Sequence, residues 1–424
     1  MAALPYTAGG SCFAGGSAVA LALYLHIPFC ARKCAYCDFA SWATPAGDAL
    51  MGAYACALGE QLEEAASLGL LEGCETAYVG GGTPTLLGEK DLGRLVEKIV
   101  AVAAPSELTC EANPDSLSDE VLLAVREAGA TRLSIGVQSL DDGELRELER
   151  LHDAACARER VEAAVATGLE VSVDLMCATP GQTPASWDRS LKGAVALGVG
   201  HVSVYPLQIE EGTPLDCRFA DDPCAWNDPE VQAERMTEAQ VALEARGYHR
   251  YEVASYARAG KECRHNKAYW TGSPYLGLGT GASSMLDLEG YLRLRLRCPR
   301  FPRPPEDAVR ARLTVETGRR ELAADPRLSA LSLSLEFLNE DQAVAEDLML
   351  GARLVEGLRP ELVVRARELF GARLDDTVDA LLARGLLAER DGRLVPTEQG
   401  WLLGNELYGA LWGLAPGEVA SARC

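Results

Sequence analysis

Short apolar runs recur along the chain, each followed by a longer stretch in which apolar positions return at every third or fourth place. The runs Val19–Ile27, Thr76–Gly80, Glu107–Ala112, Arg132–Val137, Val171–Met176 and His201–Tyr205, with a seventh at Tyr251–Ser255, predict strands. Ala49–Leu68, Glu89–Ala103, Ser118–Ala128, Ala154–Thr167, Pro184–Leu197 and Asp228–Arg246 predict the helices between them. Such alternation predicts an α/β fold with a parallel sheet wrapped by helices. Six or seven units over about 250 residues match a partial or complete TIM-type barrel better than a doubly wound open sheet. The polar and Gly-rich clusters directly follow the strands, at the rim where barrels build their chemistry.

The pattern changes after Met285. Leu and Arg alternate from Leu292 to Arg297, which predicts a half-exposed strand, and Cys298–Pro305 reads as a Pro-rich linker. A mainly helical part follows. It ends with a helix at Thr377–Arg384, two short extended pieces around Asp391-Gly392 and a helix from Glu398, the outline of a winged helix. The expected organisation is a disordered, Gly-rich leader at 1–17, a barrel at 18–290, a strand and linker region at 291–340 and a winged-helix-like domain at 341–424.

Charge narrows the function. The chain of 424 residues has 40 Lys plus Arg against 62 Asp plus Glu, a net charge of −22. That is the wrong sign for neutralising phosphates, so no nucleic-acid partner is expected. The last domain, from Asp341, carries 9 Arg and no Lys against 14 acidic residues, a net of −5, so its winged-helix outline favours structural or protein contacts over DNA. No Lys or Arg precedes Arg32, and the apolar run Ala18–Leu25 is too short to span a bilayer. The 14 cysteines are therefore expected to be reduced, in a cytoplasmic protein.

Three of them stand apart. Cys30, Cys34 and Cys37 form a C-x3-C-x2-C spacing directly after the first predicted strand. Structural zinc would need a distant fourth ligand, such as Cys263 or His265, whereas three thiolates suffice for a [4Fe–4S] cluster with one iron open to an outside ligand. Other residues invite ligand chemistry at the following strand ends. Gly80-Gly81-Gly82 lets backbone approach a ligand closely, and Glu111 supplies acceptors. Each has a plainer reading as a tight turn, a rim salt bridge or a helix cap.

Together with Tyr78-Val79-Gly80-Gly81-Gly82-Thr83-Pro84-Thr85, Glu111-Ala112-Asn113-Pro114-Asp115, Ser134-Ile135-Gly136-Val137-Gln138-Ser139, Arg150-Leu151-His152, Pro180-Gly181-Gln182-Thr183 and His265-Asn266-x-x-Tyr269-Trp270, the cysteines make residues 20–424 resemble the radical S-adenosylmethionine superfamily. The closer resemblance is to its coproporphyrinogen dehydrogenase and HemW-type branch. It implies a [4Fe–4S] cluster on Cys30, Cys34 and Cys37, whose open iron is chelated by the methionine part of S-adenosylmethionine. A reduced cluster then passes one electron to the sulfonium and releases a deoxyadenosyl radical. It also implies cofactor contacts from Tyr24, Gly81, Gly82, Thr83, Glu111, Gln138, Arg150 and Asp174, with Arg150 on the methionine carboxylate. One position departs from the family. Ala178 in Asp174-Leu175-Met176-Cys177-Ala178-Thr179-Pro180 replaces a glycine.

Two features separate the branches. Cys37 is followed by Asp38-Phe39 rather than a C-x-C ending, and only 23 residues precede Tyr24, where the dehydrogenases carry a longer arm. Both resemble the HemW-type haem chaperones. The resemblance then implies haem as cargo, with His265 as its candidate ligand, and as partners a respiratory haem acceptor, an electron donor and a second copy in a homodimer. A peripheral position at the membrane fits the same role. The second reading is anaerobic decarboxylation of coproporphyrinogen III.

Overall fold

The computed structural model describes residues 21–221, 228–415, 417 and 419–424. The predicted leader lies outside the described residues, as do Val19 and Ala20 of the first predicted strand. Six strands lie side by side and parallel in chain order: β1 (Leu21–Ile27), β2 (Cys74–Gly81), β3 (Glu107–Ala112), β4 (Arg132–Gln138), β5 (Glu170–Cys177) and β6 (His201–Pro206). Helices Ala49–Ser67, Gly88–Ala103, Asp119–Glu127, Ala154–Ala166 and Pro184–Ala196 make the crossovers. These are the predicted elements, with ends shifted by one or two residues at most positions.

Successive residues of a strand point to opposite faces, and here the two faces differ in chemistry. Leu23, Leu25, Val79, Leu108, Leu133, Ile135, Val173 and Val204 are fully buried and pack with Leu58, Leu92, Val125 and Leu191 of the crossover helices. The opposite face carries Tyr24, His26, Tyr78 and Glu111, joined in a row by ring contacts and hydrogen bonds, and the hydrogen-bonded pair Ser134 and Asp174. Bulky branched residues usually fill a closed barrel. Here the inner face is polar instead, which suits a ligand better than a packed apolar interior.

The sheet stays open, which decides for the partial barrel. Beyond β6 it ends in the antiparallel strands Ser255–Ala257 and His249–Arg250. Beyond β1 it continues through Tyr275–Leu278, Ser283–Asp287, Ala308–Val315 and Leu333–Asn339 to Ala420–Arg423, so one 13-stranded sheet crosses the expected boundary at 290.

Two predicted strands differ. Leu292–Arg297 lies in the helix Leu288–Arg297, whose start is capped by Asp287 accepting from Gly290 N. Tyr291, Leu294 and Cys298 are buried at helical spacing, while Leu292 and Leu296 are exposed. The strict alternation of Leu came from mixing buried and exposed leucines. The segment Cys298–Pro305 packs back on that helix: Tyr291 donates to Pro302 O at 2.8 Å and Arg295 Nε to Phe301 O at 3.0 Å. Tyr251–Ser255 is mostly the turn of the edge hairpin. Its apolar residues are covered by the C-terminal part, where Trp401 Nε1 donates to Val253 O at 2.8 Å and Val355 N to Tyr251 O at 3.1 Å.

Residues of the last domain form a second core, including Leu348, Leu358, Phe370, Leu381, Leu386 and Leu407. The helix Ala372–Ala383, the hairpin of Leu387–Arg390 with Arg393–Pro396, and the helix Glu398–Leu402 reproduce the winged-helix outline. Buried charges fasten it to the sheet. Arg310 makes two 2.8 Å bonds to Asp347, and Arg312 reaches Glu346 at 2.9 Å. Among the described residues, no helix is long and apolar enough to cross a membrane.

Candidate functional site

The cysteine loop leaves β1 at the rim. Phe29–Cys30 pairs with Trp42–Ala43 and closes a loop that holds Cys34 and Cys37. Ala35 pins its middle, packed among Leu148, Met176, Leu207 and Leu215, with Ala35 N donating to Leu148 O at 3.3 Å. His26 Nε2 donates to Ala40 O at 2.9 Å, which leaves Nδ1 to accept from the Tyr24 hydroxyl at 3.0 Å. Burial lowers the pKa of His26, so it stays neutral in this role.

All twelve described cysteines are free thiols. Among the described residues, no three Cys, His, Asp or Glu side chains converge on one point as a single metal ion requires. A cubane asks for something else, three sulfurs held apart to meet three different irons. Cys263, the alternative fourth zinc ligand, lies buried against Glu107, its Sγ 3.6 Å from Oε1.

Side chains from beyond two other strands reach the cysteines. Thr83 Oγ1 donates to Cys30 Sγ at 3.6 Å, and Arg150 Nη1 donates to Cys34 Sγ at 3.3 Å. Burial raises the Cys30 pKa, and the Thr83 and Ser41 hydroxyls work against that rise. Burial also opposes the charge on Arg150, but Tyr36, Cys34 and Asp115 around it outweigh burial and raise its pKa. Arg150 Nη2 is held by Asn113 Oδ1 at 2.7 Å and Gly136 O at 2.8 Å, whereas Nε is buried with no hydrogen-bond partner among the described residues. That spare donor suits an anionic group.

Glu111 and Asp174 face the concave side. Glu111 accepts from Tyr78 Oη at 2.8 Å and from Gly81 N at 3.0 Å. Burial pushes its pKa up to about 7, helped by the nearby Asp174 and opposed by those two hydrogen bonds. Burial raises the Asp174 pKa as well, against hydrogen bonds from Ser203 and Ser134. The site thus contains two carboxyls that lose charge more readily than surface ones.

The N–H groups of the glycine turn are engaged within the protein. Gly81 N is spent on Glu111, Gly82 N on Ile27 O at 2.7 Å and Thr83 N on Phe29 O at 2.7 Å. Their N–H groups are therefore not free for a ligand. A Cβ on Gly81, whose φ is +109°, would lie 2.5 Å from His26 Cε1, and one on Gly82 would lie 2.6 Å from Phe29 O. Glycine is needed so that the turn can press against the cysteine loop.

Two non-glycine residues at neighbouring strand ends adopt left-handed backbone: Gln138 at φ 65° and Ala178 at φ 56°. Ala178 stands where the family has glycine, and Gln182 of the Pro180-Gly181-Gln182-Thr183 motif holds it there. Gln182 Oε1 accepts from Ala178 N at 2.8 Å, while Nε2 donates to Glu144 at 3.1 Å.

His265 lies elsewhere. It sits on the helix Arg264–Trp270, by the starts of β2 and β3, where Glu107 accepts from Arg264 N and His265 N at 3.1 and 2.9 Å. Its Nδ1 meets Thr76 Oγ1 at 3.0 Å and its Nε2 meets Tyr269 Oη at 3.1 Å, and it is 1% exposed. Burial lowers its pKa to about 3. Sequence reasoning grouped the cysteines, Thr83, Glu111 and Arg150 at one rim, and the structure brings them together. Sequence reasoning missed their link, Asn113, although it lies in Glu111-Ala112-Asn113-Pro114-Asp115 beside Glu111.

A family model described as the radical SAM superfamily matches residues 24–193, and one described as the HemN C-terminal domain matches 338–403. Over 397 residues the chain is 35% identical to the protein named heme chaperone HemW of Mycobacterium tuberculosis, covering 92% of this chain and 94% of the relative. It is 31% identical over 408 residues to the Bacillus subtilis protein of the same name, covering 92% and 98%. Among solved structures, the coproporphyrinogen III oxidase HemN from Escherichia coli superposes with a TM-score of 0.72 at 22% identity, over 93% of this chain and 91% of that one, which is a likeness of fold.

Proposed function

The chain belongs to the HemW-type branch of the radical SAM superfamily, and from that membership we propose that it is a haem chaperone, which binds haem and passes it to a respiratory haem protein. The observation that carries this reading is the likeness to the named haem chaperones over nearly their whole length, including the C-terminal domain.

In this reading Cys30, Cys34 and Cys37 hold the [4Fe–4S] cluster. The residues present fit it: three free thiols in one pinned loop, two of them already receiving hydrogen bonds at sulfur. When bound, the reduced cluster supplies one electron to the sulfonium of S-adenosylmethionine. The chain's own part is to hold that cofactor. Arg150 offers its unpaired Nε to the methionine carboxylate, and Glu111 with the carbonyls of Gly81 and Gly82 accepts from the amine. Tyr24, Thr83, Gln138 and Asp174 complete the rim.

His265 is the proposed haem ligand, and its geometry sets a condition. One ring nitrogen must leave its present partner, and Nε2, held by the Tyr269 hydroxyl of the same short helix, is the one we assign. A cytoplasmic protein lying peripherally at the membrane of its respiratory acceptor, fed by an electron donor and able to pair with a second copy, fits this role.

The test pairs two assays on anaerobically reconstituted protein. Haem is titrated by absorbance, and coproporphyrinogen III is supplied with S-adenosylmethionine and a reductant. Stoichiometric haem uptake without decarboxylation is expected. Conversion of coproporphyrinogen to protoporphyrinogen would sink the chaperone reading.

A further inference from the structure

Asn113 stands between two of the three cluster cysteines and touches neither. Its Nδ2 donates to Thr83 Oγ1 at 2.9 Å and its Oδ1 accepts from Arg150 Nη2 at 2.7 Å. On the far sides, Thr83 donates to Cys30 Sγ at 3.6 Å and Arg150 to Cys34 Sγ at 3.3 Å. The direction of every link is fixed. A guanidinium only donates, so the amide oxygen must face Arg150 and the amide nitrogen must face Thr83. Thr83 then accepts with its oxygen, and its one proton is left for the sulfur of Cys30. Thr83 is 2% exposed, so no water competes freely for that proton.

Resting on the reading that these cysteines hold the cluster, we propose that Asn113 is a positioning residue that raises the cluster's reduction potential by aiming Thr83 and Arg150 at the sulfurs of Cys30 and Cys34. Reduction by an external one-electron donor adds one negative charge, shared with the thiolate sulfurs. A hydroxyl proton on one sulfur and a guanidinium on another stabilise the reduced state more than the oxidised one, and hydrogen bonds to sulfur are an established lever on such potentials. Without Asn113 the Thr83 hydroxyl loses the partner that orients it, and Arg150 keeps only Gly136 O for its Nη2.

The test is potentiometry in the absence of S-adenosylmethionine, so that lost contacts to that cofactor do not enter. Wild type, Asn113→Ala, Thr83→Val and Thr83→Ser are reconstituted anaerobically, assayed for iron and sulfide, and titrated with dithionite while the reduced cluster is followed by electron paramagnetic resonance. Asn113→Ala and Thr83→Val are each expected to hold about tenfold less reduced cluster at a fixed potential, a shift of about 59 mV to more negative values. Thr83→Ser, which keeps the hydroxyl, stays within half of that shift. Loaded variants that titrate with wild type overturn the proposal, as does loss of the cluster from both Asn113→Ala and Thr83→Val in folded protein, which would make the residues structural only. A wild type that takes up no cluster instead defeats the underlying cluster assignment.

Discussion

Tyr78 lies flat against His265, ring centroids 5.1 Å apart and planes 27° apart, while its hydroxyl donates to Glu111 at 2.8 Å. One side chain thus joins the proposed haem ligand by the strand starts to the carboxyl at the cofactor rim. The contact follows from the sheet: Thr76, Tyr78 and Gly80 face the same side of β2, so Thr76 meets His265 while Gly80 leaves space for Glu111.

Glu111 gives a pH prediction. Its pKa of about 7 is raised above the ordinary 4.5, so between those values the folded protein keeps a proton that the unfolded chain has released. The stability it contributes is complete below about 4.5 and is lost as pH rises through about 7. The urea midpoint of wild type should fall relative to that of Glu111→Gln between pH 5 and pH 8. S-adenosylmethionine, which presents an amine, should bind wild type more tightly at pH 8 than at pH 6, and Glu111→Gln equally at both. Tyr78→Phe removes a bond that lowers the Glu111 pKa, so the binding midpoint should move up. A pH-independent affinity in wild type would exclude Glu111 from the amine.

Cys34→Ala should emerge from anaerobic reconstitution without the brown colour and iron of wild type, whereas Cys263→Ala should keep both. Iron analysis decides. Full iron in Cys34→Ala would remove Cys34 from the ligand set, and loss of metal from Cys263→Ala would favour the zinc clip.

At Ala178, φ of 56° costs about 1–2 kcal/mol in a residue with a Cβ. Glycine would relieve that cost but lose about 0.5–1 kcal/mol to its greater freedom when unfolded. Ala178→Gly should therefore stabilise the protein by about 0.5–1 kcal/mol, read as a raised urea midpoint at unchanged slope. A lowered midpoint would mean that the Ala178 methyl makes contacts worth more than the strain.

The strands and rim motifs were legible because each strand pairs an apolar face with a polar one, and because the cysteine spacing, the glycine run and Glu111 follow or close the first three strands. The helix Leu288–Arg297 was not, since Leu292 and Leu296 are exposed and disguise the helical spacing of Tyr291, Leu294 and Cys298. Links such as Asn113 to Thr83 and Arg150 to Cys34 join residues 30 and 116 apart in the chain, and no local pattern encodes them. For His265, sequence pointed to an imidazole but not to Thr76 at its Nδ1, a residue 189 positions away in the chain.

Arg310 and Asp347 hold the C-terminal domain to the sheet through a buried two-bond pair. Arg310→Ala leaves Asp347 and Glu346 buried beside one less cation, and should cost about 3–5 kcal/mol, with proteolysis opening near residue 340. The double change Arg310→Met, Asp347→Leu should recover most of that loss. If the double variant is as unstable as the single, packing rather than charge holds the joint.

Haem binding through His265 makes three linked demands. His265→Ala should abolish most uptake. Tyr269→Phe removes only the hydroxyl that occupies Nε2, and since such a bond is worth about 0.5–1.5 kcal/mol, haem affinity should rise about threefold to tenfold. The third demand concerns pH. Only neutral imidazole binds iron, and with a pKa of about 3 the His265 ring is neutral throughout pH 5–8. The lowered value means that protonation competes only well below that window. Affinity through His265 should therefore be flat from pH 8 down to pH 5. A fall near pH 6 would point to a ligand other than His265. A rise on Tyr269→Phe combined with a flat pH profile would place the iron on Nε2 of His265. Unchanged affinity in both His265→Ala and Tyr269→Phe would move the haem site away from this helix altogether.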